Sequence, residues 1–137
     1  MNKTTNYNIL LTISILFSFT YVLILYGALP FISMPTLGQA FWTTGFAQSM
    51  ANQSLFSIYA TNIGNPEPAA MAFGLSGAYI TSILIRLGIE PSNAYSFMHI
   101  FWLSIAFFGS YRLSVLFKVN QYLSVATATL WLSCPIG

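Results

Sequence analysis

Apolar residues run without a charge from Ile9 to Leu29, and again from Phe97 to Leu116 with Arg112 as the one exception. At about 1.5 Å of rise per residue each stretch matches the ~30 Å hydrocarbon layer of a bilayer, which predicts two membrane-crossing helices, 9–29 and 97–117. A third apolar run opens at Gln121 or Tyr122, after a break at Val119-Asn120, and passes Trp131 towards Pro135. As far as Gly137 it is shorter than a full crossing, so 121–137 is expected to be an incomplete third span.

The segment between the two long runs, 30–96, has a different texture. Trp42, Phe46 and Met50 recur at four-residue steps among Gln39, Thr43, Thr44, Gln48 and Asn52, which predicts a short amphipathic helix near 37–52 with Trp42 at a lipid–water boundary. Asn62-Ile63-Gly64-Asn65-Pro66-Glu67-Pro68 is made of turn formers and cannot be helix interior. A second apolar stretch, 69–87, carries Ala70, Gly74, Ala78 and Ser82 on one helical face, beside Met71, Leu75, Tyr79, Ile83 and Leu87. Small residues at that spacing let helix backbones approach closely. Gly88 reads as its C-terminal cap, with Glu90-Pro91-Ser92-Asn93 turning into the next helix. No strand alternation or repeat is visible, so the expected class is all-α, a helical integral membrane unit with interfacial helices in its first outer loop.

Composition supports lipid as the solvent. The chain is 56% hydrophobic and 4% charged, where a soluble domain carries roughly 25% charge. Lys3, Arg86, Arg112 and Lys118 oppose Glu67 and Glu90, and the scatter of the basic residues excludes a nucleic-acid footprint. Lys3 before an apolar run is also the pattern of an export signal. The run is too long for one, and Leu29-Pro30-Phe31 offers no small-residue cleavage site, so a retained first helix is expected. Lys3, Arg112 and Lys118 on one side place the N-terminus in the cytoplasm and 30–96 outside, in a multi-pass protein of the cell inner membrane. If 69–87 crossed the bilayer, Arg112 and Lys118 would fall on the outer side, against this rule, so an interfacial helix is the preferred reading of that stretch.

Candidate chemistry is sparse. Glu67, in a Pro-bracketed loop ahead of the 69–87 helix, reads as a helix-capping carboxylate, a catalytic or ligand-binding acid, or a solvent-facing one. Asn62 and Asn65 either orient a polar ligand or form turns. His99 either lines a polar cavity or is a neutral imidazole bonded to a neighbouring helix. One His, one Cys and two Glu without ligand spacing exclude a metal site of known pattern, and no nucleophile elbow or phosphate loop is present. Arg112 and Lys118 read as snorkelling anchors, and Ala106, Ser110 and Ser114 as a close-packing stripe. Cys134 has no partner for an internal disulfide and reads as a packing residue.

The order of a first span, the loop "FWTTGFAQSMANQ", the "NPEP" turn leading into "AAMAFGLSGAYITSILIRLGIEP", and the spans "AYSFMHIFWLSIAFFGSYRLSVLF" and "YLSVATATLWLSCP" resembles the amino-terminal part of the GT-C class of multi-pass membrane glycosyltransferases. The resemblance implies a polyprenyl-phosphate sugar as donor, no resident cofactor, and an active site facing the periplasm or lumen. It places Gln39 where the family carries a loop acid, a departure, since glutamine cannot act as a carboxylate base or metal ligand. Glu67 then stands at a polar position lining the substrate cavity as the one catalytic candidate, with Gln39, Asn65 and His99 as substrate-binding candidates. Such enzymes need more spans than this stretch provides, so it is expected to be an amino-terminal fragment, inactive by itself, whose partners are the bilayer, other membrane helices or a missing C-terminal portion. Two other roles stay open: a small membrane protein docking on a larger complex through its small-residue helix faces, and a transporter fragment with His99 and Glu67 facing a polar pathway.

Overall fold

The computed structural model describes residues 3–35, 40–54, 56–61, 67–71 and 75–134. Five helices lie among these residues: α1 (Lys3–Tyr26), α2 (Ala40–Asn52), α3 (Leu75–Arg86), α4 (Pro91–Leu116) and α5 (Gln121–Ser133). A two-residue antiparallel ladder joins β1 (Tyr59–Ala60) to β2 (Ala69–Ala70). Asn6–Tyr26 and Pro91–Leu116 are long and apolar enough to cross a membrane. The chain divides into two units, 27–100 and 1–26 with 101–137.

In the unit formed by 1–26 and 101–137, α1 holds no Gly or Pro and stops where Gly27 takes a left-handed φ of 66°. The Tyr7 ring stands edge-on to Tyr122 at 5.3 Å, and the Tyr26 hydroxyl donates to the Leu132 carbonyl at 2.9 Å. One contact joins the beginnings of α1 and α5 and the other their ends, so the two helices run in the same direction. The last part of α4 leads into α5 through the turn 117–120 and therefore runs the opposite way. Phe19 of α1 packs on Phe107 and Phe108 of α4, at 5.5 and 5.9 Å. Val22, Phe107, Ser124 and Ala128 are buried, whereas Leu16, Phe17, Leu113, Leu130 and Trp131 face outward. Ala106, Ser110 and Ser114 are half-buried, on the protein-facing side of α4.

The turn from α4 to α5 is closed by caps. Val119 N–H donates to the Ser114 carbonyl and Lys118 N–H to that of Val115, with Lys118 itself at φ 61°. This is the double bond of a helix end that usually carries glycine. Asn120 then starts α5, its side-chain oxygen accepting from Tyr122 N–H at 2.9 Å. Lys3, Arg112 and Lys118 therefore belong to one end of this helix group.

In the unit 27–100, α2 and α3 lie side by side. A Cβ on Gly77 would meet Thr43 Cγ2 and Met98 Cε at 3.3 Å each, while at the other end Arg86 reaches Met50. The two helices consequently run in the same direction. Phe46, Ala47, Met50 and Ala78 form the shared core with Ala60 and Met71, flanked by Leu75, Tyr79 and Ile85. A second cluster joins Ala40, Tyr95 and Met98 to Met34 and Ile80.

Four expectations are corrected here. The stretch 69–87 is not one helix, because Ala69 and Ala70 pair with Ala60 and Tyr59 and Met71 N–H donates to the Ile58 carbonyl at 2.7 Å. Pro68 keeps its surroundings extended, and the ladder outweighs the helix preference of two alanines. Ala70 thus leaves the small-residue face, Gly74 lies outside the described residues, and Ala78 and Ser82 are buried in the chain's own fold. Glu67 precedes β2 rather than α3, whose first turn carries no acidic residue. The Phe46/Met50 stripe of α2 turns into the protein core, leaving Phe41 and Trp42 outward. Finally, α4 begins at Pro91 rather than near Phe97, since the helix starts at its cap, well before its apolar run begins.

Candidate functional site

The first turn of α4 and the loop after α1 build an open recess in which polar groups converge. Glu90 is the N-cap of α4, its carbonyl accepting from Ala94 N–H at 2.8 Å, and Pro91 takes the first helical position, where a missing N–H costs nothing. Asn93 then stands one turn in, with its carboxamide oriented at both ends. Its nitrogen donates to Glu90 Oε2 at 3.1 Å, and its oxygen accepts from Phe31 N–H at 2.6 Å.

The loop is bonded as firmly. Leu29 and Ser33 form a bridge, with Ser33 N–H donating to the Leu29 carbonyl at 2.8 Å and Ser33 Oγ to the Gly27 carbonyl at 2.7 Å. The buried Ser96 hydroxyl lies 3.0 Å from the Ser33 carbonyl and 3.1 Å from that of Ser92, tying loop to helix a second time. Phe31 is held at φ 66°, a left-handed conformation uncommon for a bulky residue.

Between these segments lies an open cleft of about 330 Å³, lined by Phe31, Ile32, Ser33, Met34, Glu90, Ser92 and Asn93. Its lining offers a carboxylate, two hydroxyls and a carboxamide, beside the N–H groups that the first turn of a helix leaves without intrahelical partners. A negative charge there is favoured by the helix dipole by roughly 0.3–1 kcal/mol. Such a recess can accept hydrogen bonds from a polyhydroxylated group while an attached hydrocarbon lies along Phe31, Ile32 and Met34. Among the described residues no cluster of three His, Cys, Asp or Glu could hold a metal ion.

Of the residues that stand out in the sequence, Glu67 and His99 do not line this cleft. Glu67 is exposed in a bend ahead of β2 and has no hydrogen-bond partner among the described residues. His99, half-buried on α4, turns Nδ1 to the Tyr95 carbonyl of its own helix at 3.1 Å and packs its ring against Tyr95 with centroids 4.4 Å apart. A carbonyl only accepts, so that nitrogen carries the proton. The expected bond to a neighbouring helix is replaced by one within α4. No hydrogen bond between the two is seen among the described residues, and Gln39, Asn62 and Asn65 lie outside them.

Arg86, in sequence one of the scattered basic residues, ties the end of α3 to the end of α2. Its Nη2 donates to the carbonyls of Met50 and Gln53, at 2.9 and 3.1 Å, at the end of α2 where carbonyls lack intrahelical partners. A cation at a helix C-terminus is also favoured by the dipole. Replacing Arg86 with alanine is expected to destabilise this unit by about 1–3 kcal/mol, seen as faster hydrogen exchange in the last turn of α2. Unchanged protection there would remove the capping role. Comparison with protein-family models, curated proteins and solved structures yields no match for this chain.

Proposed function

We propose that this chain is the amino-terminal part of a multi-pass membrane glycosyltransferase of the GT-C type, and that its cleft receives the head of a polyprenyl-phosphate sugar at the outer face of the inner membrane. In this reading α1 and α4 cross the bilayer, α5 enters it as a third span, and 27–90 forms the first extracytoplasmic segment with the N-terminus inside. The observation that carries the proposal is the cleft itself. Its lining joins a carboxylate, two hydroxyls and a carboxamide to the apolar Phe31, Ile32 and Met34, and its two walls directly follow one span-length helix and begin the other.

The direction of the helices supports the same topology. With α1 and α5 running one way and α4 the other, the basic residues Lys3, Arg112 and Lys118 share the cytoplasmic end, as a bias of positive charge requires. Glu90 then accepts hydrogen bonds from sugar hydroxyls, Ser92 and the free N–H groups of the α4 N-terminus meet the phosphate, and Asn93 holds Glu90 in place. Glu67 is kept as an acid of the same outer segment, with catalysis resting on the larger assembly.

A photoactivatable polyprenyl-phosphate sugar, offered to the protein in vesicles, is the direct test. Saturable crosslinking to 29–34 or 90–96 is expected, competed by the unlabelled carrier. Glu90→Ala is expected to weaken it about tenfold or more, the loss of one hydrogen bond to a charged group. Labelling that does not saturate, or that Glu90→Ala leaves unchanged, excludes this ligand from the cleft.

A further inference from the structure

Phe31 and Ile32 are consecutive large apolar residues left 79% and 82% exposed, and they sit at the tip of a turn whose backbone is tied down on every side. Phe31 N–H is bonded to Asn93, Ile32 N–H to the Leu29 carbonyl at 3.0 Å, and Ser33 to both Leu29 and Gly27. A mobile loop would fold such side chains away. Here the left-handed Phe31 backbone and the Leu29–Ser33 bridge hold them outward, with the Phe97 ring, 6.1 Å from that of Phe31, alongside.

We infer that the Phe31-Ile32 turn is a rigid wedge set into the lipid interface of the outer leaflet. The inference rests on the reading of α1 as a span, and two features of the chain name lipid as the occupant. Ser33 Oγ fastens the turn to Gly27, the residue directly after α1, so Phe31 and Ile32 cannot stray far from the end of that helix; five extended residues reach at most about 18 Å. No charged residue occurs between Lys3 and Glu67, so the turn carries no charge of its own into the headgroup–acyl boundary, and the neighbouring Glu90 is exposed, so its carboxylate can stay among the headgroups. The turn also lines the cleft, and an inserted tip sets its apolar side chains at the depth where a lipid-linked ligand would lie.

The test uses the full chain with Cys134→Ser and Ile32→Cys, the new thiol carrying an environment-sensitive fluorophore, in phosphatidylcholine–phosphatidylglycerol vesicles bearing nitroxides at headgroup or mid-chain depth. Ser76→Cys on the exposed side of α3 serves as the aqueous reference and Ile13→Cys as the reference within α1. Blue-shifted emission at position 32, quenched more by the headgroup nitroxide than by the mid-chain one, is the expected result. Emission like that of position 76 overturns the wedge, as does a position 32 shielded from aqueous iodide yet untouched by either nitroxide, which would mean protein covers it. If position 13 is quenched at mid-chain depth while position 32 stays aqueous, the wedge alone falls. If position 13 is not quenched, the span and the wedge fall together.

Discussion

Replacing Phe46 with alanine is expected to destabilise the unit 27–100 by about 3–5 kcal/mol, the range for removing a large aromatic side chain from a packed core. Phe46 is 4% exposed and packs with Ala47, Met50 and Ala78 where α2 and α3 meet. The small residues Gly77 and Ala78 bring the helices so close that there is little slack to fill the vacated space. A cysteine placed at the fully buried Ala47, in the Cys134→Ser background, reports on opening of the pair. Its reaction with a soluble maleimide should accelerate in the Phe46→Ala protein by roughly a hundredfold or more, since about 1.4 kcal/mol is a factor of ten. An acceleration below tenfold would mean that α2 and α3 are held by something other than this core.

The second large effect concerns sidedness, and the expected outcome is close to all-or-none. Cysteines introduced at Ser54 or Ser76 should react with an impermeant maleimide in intact cells once the outer envelope is permeable. One at Asn120 should react only after the inner membrane is broken. The physical basis is that Lys3, Arg112 and Lys118 gather at one end of the α1–α4–α5 group, and basic residues near span ends set orientation. Reversing Arg112 and Lys118 to glutamate should scramble this pattern and leave a fraction of molecules inverted. Labelling at Asn120 in intact cells would reverse the proposed topology and remove the outward-facing cleft with it.

Much of the helical framework is readable from sequence because its cause is local. The apolar runs around 9–29 and 97–117 announce α1 and most of α4, since length and lack of charge are properties of a single segment. Gly88 announces the end of α3, and the structure gives it φ 88° with the matching cap bonds. Trp42, Phe46 and Met50 announce a helix, yet their spacing cannot say whether Phe46 and Met50 meet lipid or α3. The β1–β2 ladder is invisible in advance, because two residue pairs are too short to display alternation, and Ala69-Ala70 by itself favours helix.

The cleft escapes a sequence reading for the opposite reason. Its walls come together through bonds such as Phe31 N–H to Asn93, residues 62 positions apart, which no local pattern encodes. Glu67 between two prolines has the more unusual local sequence, while Glu90 stands before one. Glu90-Pro91 nonetheless carries a usable signal, an acid directly ahead of a proline that starts a long apolar helix, which places a carboxylate at a helix N-terminus. Arg86 gave no such hint, as its partners are backbone carbonyls of another helix.

The shared direction of α2 and α3 has a bearing on how this unit comes into being. Neighbouring helices that point the same way cannot be joined by a tight hairpin, so the chain through 53–74 must be laid down before Gly77 can reach Thr43. Such distant pairings raise the contact order and slow folding relative to an up-and-down pair of equal size. During synthesis α2 emerges first, with Phe46 and Met50 bare until α3 follows, which makes that interval the moment of greatest exposure to aggregation or proteolysis.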